Sequence, residues 1–165
     1  MDFHNEYPYA ATPEAVFAMM SQPEYIREKL KATEALEYDV VECVAAPDGG
    51  FRIVTTRTVQ ADIPSFARKV FKPTQAMKQT EEWSAATAES REAAWSIEAK
   101  GVPVSTGGTS RLEAVDGGTV QHIMGTIKVK VPLIGGRLEK FVYDQAAATM
   151  KKEHEFGQRW LAEHE

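Results

Sequence analysis

Three polar side chains stand where an alternating strand calls for apolar ones. In Phe51-x-Ile53-x-Thr55-x-Arg57-x-Val59 every second residue falls on one strand face, and Arg57 is among them. In Met77-x-Gln79-x-Glu81-x-Trp83 the same holds for Gln79 and Glu81. A charge taken out of water is costly unless paired, so these residues imply a partner, trapped water or a ligand group. On neighbouring strands Arg57 and Glu81 come within reach of one another. One chemistry is a polar handle for the carboxylate, hydroxyl or carbonyl of an otherwise apolar ligand. Another is a dry site in which Glu81 is the general base on an acidic C–H and Arg57 stabilises the enolate. A third reading stays open: a register shift of one residue would turn both side chains to solvent as an ion pair.

Other chemistries find no pattern here. His4, His122, His154 and His164 are never three to five residues apart, and Cys43 is the single cysteine, so no local metal-ligand spacing exists. His122 alternates with Met124 and Thr126 on the side expected to face outward. There is no Gly-x-Ser-x-Gly elbow, no Gly-x-Gly-x-x-Gly turn and no Gly-Lys-Ser/Thr phosphate loop. No cofactor and no metal is expected. The balance of 19 Lys and Arg against 24 Asp and Glu, a net charge of -5, argues against nucleic-acid binding. One cysteine excludes an internal disulfide. No apolar run reaches the roughly 18 residues of a spanning helix, so stable membrane insertion is not expected and a cytoplasmic location is. A monomer or weak homodimer is expected.

These residues must be positioned by the elements around them, in a single domain spanning 165 residues. A first strand runs from about Phe3 to Tyr9. Thr12-Pro13-Glu14 then opens a helix, with Thr12 as cap, Pro13 in the first turn and Glu14 at the positive end of the dipole. A second short helix runs from Pro23 to Leu30. Period-two runs follow: Leu36, Tyr38 and Val40; Phe51 to Val59; Met77 to Trp83; Trp95, Ile97 and Ala99; Ser110, Leu112 and Ala114; and Ile123 to Val131. Asp48-Gly49-Gly50 and Asp116-Gly117-Gly118 are hairpin turns between such runs. From Arg137 the period lengthens, and Leu138, Phe141, Val142, Gln145, Thr149, Glu153, Phe156 and Trp160 share one face of a long amphipathic helix. About seven antiparallel strands with helices gathered on one face make an α+β fold.

This order resembles the helix-grip fold of the START-like (SRPBCC) superfamily. So do two local segments, Ile63-Pro64-Ser65-Phe66-Ala67-Arg68-Lys69 and Val131-Pro132-Leu133-Ile134-Gly135-Gly136-Arg137-Leu138-Glu139-Lys140, which look like a subfamily of uncharacterised proteins from high-GC Gram-positive bacteria. The resemblance implies a curved seven-stranded sheet wrapped around the C-terminal helix, with two short helices after the first strand. It also implies a cavity between sheet and helix that takes a small hydrophobic or amphipathic molecule: a lipid, a polyketide-like or an aromatic compound. Cofactor-independent cyclase or aromatase chemistry in that cavity is the enzymatic alternative, and a protein-interaction module with a filled core is the third.

If the cavity exists, its lining comes from the inner faces. These carry Ile53, Thr55 and Arg57; Gln79, Glu81 and Trp83; Trp95 and Ile97; Leu112; Ile123, Gly125 and Ile127; and Phe141 and Val142. Gly125 and Ala146-Ala147-Ala148 either leave a void or permit a bulge and close helix approach. Tyr38 either offers its hydroxyl inside or sends it to the rim. Trp83, Trp95 and Phe141 are core anchors that would also form walls. Gln145, Thr149 and Glu153 either line the space or sit at the stripe's edge. The segment Asp62 to Pro73 is either a lid plugged by Phe66 or a short surface helix burying Phe66 and Phe71. The loop from Lys100 to Gly108 would form the opposite side of the entrance.

Overall fold

The computed structural model describes residues 1–164. In chain order the elements are β1 (Asp2–Tyr9), α1 (Pro13–Met20), α2 (Pro23–Ala32), β2 (Glu37–Ala45), β3 (Phe51–Gln60), β4 (Thr74–Trp83), β5 (Ser90–Ala99), β6 (Val104–Val115), β7 (Gly118–Val129) and α3 (Gly135–Glu163). One 3-10 turn at Ser65–Ala67 separates β3 from β4. The strands form a single sheet of order β1-β7-β6-β5-β4-β3-β2, every neighbouring pair antiparallel. β2 to β7 are a meander, and β1 closes the far edge against β7. Between the two edge strands in sequence come α1 and α2, with α1 packing near β6 and β7 and α2 near β2 and α3.

Local chemistry explains the boundaries. Thr12 Oγ1 accepts from the Ala15 N–H at 3.2 Å, and Pro13 occupies the first turn of α1. Gly49 and Gly117 take φ of +88° and +82° at the β2–β3 and β6–β7 hairpins. Both were expected as turns. In β2 the pairing slips between Val40 and Glu42, and Val41 is the extra residue. Because of that bulge, Val40 stands opposite Thr55 and Cys43 opposite Ile53, while Val41 is exposed.

Three expected boundaries move. Leu36 precedes β2 and is exposed. Val131 lies beyond the end of β7. Gly107 and Gly108 lie inside β6, so the connection after β5 is only Lys100 to Pro103. A β-carbon on Gly108 would meet Met124 O at 1.9 Å, so two backbones approach there too closely for any side chain.

The core falls into two clusters. In the first, Val16, Met19, Tyr25, Ile26 and Leu30 of the short helices pack on Ile53, Trp83, Ala93 and Leu112 of the sheet and on Trp160 near the end of α3. In the second, Ala67, Ile127, Val129 and Leu138 pack with Phe66, Phe71, Ile134 and Val142 at the start of α3. Each large apolar side chain fully buried contributes about 1.5–3 kcal/mol before ordering costs. Glu139 ties the second cluster together: its Oε2 accepts from the Val129 N–H at 3.0 Å and its Oε1 from the Met1 amino group at 3.1 Å. These bonds, the Val129 one foremost, hold its carboxyl below the usual range. Between the clusters the inner face is only half-buried, at Phe3, Asn5, Arg57, Gln79, Glu81, Trp95, Ile97 and Ile123. The backbone of α3 runs close to β7, α2 and α1 and stands further from β3, β4 and β5.

Candidate functional site

Strand register places the polar residues that the alternation singled out. On β3 and β4, Ile53 faces Glu81, Thr55 faces Gln79 and Arg57 faces Met77. Alternation therefore carries Arg57, Gln79 and Glu81 to the same face as Ile53 and Trp83, the side covered by the helices. Arg57 Nη1 donates to Gln79 Oε1 at 2.9 Å. Glu81 lies opposite Ile53, so the guanidinium bonds the neutral amide between them, while the charges of Arg57 and Glu81 still act on one another.

The two charged groups lie deep. Burial lowers the pKa of Arg57, against the opposing charges of Glu153 and Glu81. Burial likewise raises that of Glu81, and the charge of Glu153 adds to the rise; Lys29 opposes it most, with Trp83 and Arg57 contributing less. Trp83 Nε1 is buried without a hydrogen bond of good geometry among the described residues, yet its N–H is near enough to the Glu81 carboxylate to favour the charged form. Despite their depth, Arg57, Gln79 and Glu81 each keep part of their surface accessible.

Around them the expected residues divide. Trp95 faces Glu81 on β5 and Ile97 faces Gln79, both half-buried. Trp95 Nε1 donates to Thr109 O at 3.0 Å. Its ring and that of Phe3 lie over Gly125, where a β-carbon would come within 2.6 Å of Trp95 Cζ2 and 2.8 Å of Phe3 Cζ. Gly125 thus opens no void; it seats two aromatic rings. Ile123 is half-buried, whereas Ile53, Thr55, Trp83, Leu112 and Ile127 are buried. Tyr38, opposite Arg57, is 38% exposed and sits at the rim.

On α3, Val142 belongs to the second cluster and Phe141 meets the Phe71 ring at 5.8 Å between centroids. Thr149 is half-buried, and Gln145 is exposed at the edge of the stripe. Glu153, one turn before Gly157, acts on Arg57, Glu81, Tyr9 and Tyr25 from the inner side. The segment before β4 is a docked 3-10 turn. Ala67 is fully buried, and Phe66 is half-buried beneath the Arg137 guanidinium at 3.9 Å from its ring centroid. Arg68 and Lys69 face solvent. An open hollow of about 600 Å³ crosses the sheet end where β2 to β5 meet, bordered by the inner Tyr38, Arg57, Met77 and Ala99 and the outer Thr56, Lys78 and Glu98. Gln79 and Glu81 do not border it.

Sequence reasoning missed a second polar row. Tyr143 Oη on α3 donates to Asn5 Oδ1 at 2.9 Å, and Asn5 Nδ2 donates to Tyr7 Oη at 3.3 Å. Tyr9 and Tyr25 converge above Gly157, where a β-carbon would lie 3.2 and 3.0 Å from their hydroxyl oxygens. Burial raises the pKa of both phenols. The signal was present in Phe3-x-Asn5-x-Tyr7-x-Tyr9, which sends aromatic and polar groups to one face of β1. Lys29 of α2, whose charge reaches Glu81, left no such signal.

The comparisons with known proteins agree with this architecture. A family model described as "Protein of unknown function (DUF2505)" matches residues 4–161. Uncharacterized protein Rv0481c of Mycobacterium tuberculosis (strain ATCC 25618 / H37Rv) is 24% identical over 160 residues, covering 93% of this chain and 92% of its own. Among solved structures, TTHA0849 from Thermus thermophilus superposes with a TM-score of 0.68 at 18% identity, covering 100% of both chains. A STAR-related lipid transfer protein fragment from Xanthomonas axonopodis gives a TM-score of 0.63 at 12% identity over 95% of this chain and 85% of that one. The fold is the α+β helix grip, and no helix among the described residues is long and apolar enough to cross a membrane. With the family model spanning nearly its whole length, the chain belongs to the DUF2505 family.

Proposed function

We propose that the protein binds a hydrophobic or amphipathic small molecule between the centre of the sheet and α3, with Arg57 meeting a carboxylate or other acceptor on the ligand. The observation that carries this reading is the state of Arg57, Gln79 and Glu81: deep enough for burial to shift both ionisable groups, yet still partly accessible. A side chain at the wall of an internal space combines those two properties. The division of the core into two clusters, with α3 standing off the strands between them, supports a space at that level. The name of the Xanthomonas axonopodis neighbour, a lipid transfer protein, supports a lipid-like ligand class.

Among the described residues the guanidinium makes one hydrogen bond to another side chain, the neutral Gln79 amide. An anionic head group would pair with the remaining donors, and the apolar tail would lie along Trp95, Ile97 and Ile123. The test is titration of delipidated protein with oleate, followed by tryptophan fluorescence and native mass spectrometry. Saturable uptake of one oleate, weakened about tenfold or more in Arg57→Met, is expected, since a hydrogen bond to a charged group contributes about 1.5–3 kcal/mol. Uptake that is absent, or equal in the variant, overturns the assignment.

One observation favours a second reading in the same place. A carboxyl whose pKa burial has raised is a candidate for general acid–base work, and Glu81 is such a group. In that case Glu81→Gln abolishes turnover of a bound enolisable substrate while leaving its uptake intact.

A further inference from the structure

On the outer face of the sheet, away from the ligand space, strand pairing assembles a group that sequence spacing did not reveal. His4 and Glu6 are two apart on β1 and so share a face. His122 of β7 stands directly opposite Glu6. Their ligand atoms converge: His4 Nε2 lies 3.1 Å from His122 Nδ1, Glu6 Oε1 lies 3.7 Å from His4 Nε2, and Glu6 Oε1 lies 3.5 Å from His122 Nδ1.

We infer that His4, Glu6 and His122 form a binding site for a divalent cation of the zinc class. A tetrahedral zinc ion, with bonds of about 2.0–2.1 Å to nitrogen and oxygen, sets its donor atoms about 3.3 Å apart. The three observed separations bracket that edge. Two imidazoles and one carboxylate are also a donor set that zinc takes up readily, and three protein ligands leave the fourth position to water. Packing favours the arrangement. Both imidazoles project from paired strands rather than loops, and His122 is largely shielded, with 22% of its side chain exposed. Arg111, opposite His122 on β6, lies 3.4 Å from Glu113 and 3.7 Å from Glu92, which offset its charge. A bound ion would join edge strand β1 to β7 and thereby stabilise the native state by mass action.

The experiment is calorimetric titration of metal-free, untagged protein with zinc chloride, paired with thermal unfolding. One zinc per chain with a Kd below about 10 μM is expected, equivalent to roughly 7 kcal/mol of binding free energy. Neutral imidazole is the ligand, so affinity should fall as the solution is acidified. Zinc should raise the unfolding temperature of the wild type. His122→Ala and His4→Ala should each weaken binding about tenfold or more and abolish the thermal shift. Glu6→Gln, conservative and exposed, guards against a folding defect and should weaken binding too. Weaker or non-stoichiometric uptake by the wild type, or equal uptake by His122→Ala and Glu6→Gln, overturns the site.

Discussion

Arg57 on β3 donates from Nη1 to Gln79 Oε1 on β4 at 2.9 Å, so a deep positive charge is held by a neutral amide rather than by a carboxylate. The pair is diagonal, because Gln79 faces Thr55 and Arg57 faces Met77. Replacing Gln79 by Leu should strand the guanidinium, destabilising the protein by about 1–3 kcal/mol, the cost of an unsatisfied buried polar group. Replacing both partners, Arg57→Met with Gln79→Leu, removes the charge together with its acceptor, and should leave stability nearly unchanged or higher. Urea denaturation of the two variants makes the comparison. Equal destabilisation by both would mean that Arg57 contributes mainly through packing of its stem.

Glu81 gives a pH dependence with a defined sign. Burial disfavours its charged form, so its folded pKa is raised above the unfolded value of about 4.3. A group shifted in that direction penalises the folded state increasingly as pH rises from the unfolded pKa to the folded one, and fully above it. Glu81→Gln should therefore raise the unfolding temperature at neutral pH and lose its advantage below about pH 4. Thermal scans across about pH 3 to 8 check this. An advantage that persists unchanged in acid would assign the effect to packing.

The contrast between these residues shows what a one-dimensional pattern carries. Alternation put Arg57, Gln79 and Glu81 on the inner face correctly, because period-two geometry is local and the hairpin glycines fix the turns. Which of them touch depends on register between strands, and that is set by where β4 begins after a 3-10 turn the sequence does not delimit. The same limit hid the outer cluster. His4 and His122 are remote in sequence and meet only because β1 pairs with β7 across the whole chain. Gly125 stayed open for a different reason. A glycine on an apolar face reads as empty space or as a bulge, and only the positions of Trp95 and Phe3 show that it seats two rings.

Gly125 and Gly108 predict unequal costs. At Gly125 a β-carbon presses hardest on Trp95 Cζ2 and Phe3 Cζ, ring edges that can shift, and meets the Gly107 carbonyl oxygen less tightly at 3.0 Å. Gly125→Ala should cost about 1–3 kcal/mol as an overpacked site. At Gly108 the obstacle is the Met124 carbonyl of the paired strand, which moves only if β6 and β7 separate. Gly108→Ala should cost more than about 4 kcal/mol, the range of severe defects, and prevent folding in a marginal host. Denaturant midpoints order the pair, and a milder Gly108 variant would contradict the close backbone approach.

Leu133 joins β7 to α3 with φ of +70° and its side chain fully exposed. A left-handed conformation costs a leucine about 1–2 kcal/mol, and here no burial offsets it. Glycine adopts the same φ without that penalty but loses more freedom on folding, at roughly 0.5–1 kcal/mol relative to alanine. The balance favours Leu133→Gly by up to about 1.5 kcal/mol. Asparagine, which also tolerates this region, should gain a similar amount. Leu133→Val tests the cause, since a β-branched side chain worsens the clash and should destabilise. Urea midpoints ordered glycine and asparagine above leucine above valine would establish backbone strain at this junction, whereas loss of stability in the glycine variant would show that the leucine side chain supports the turn into α3.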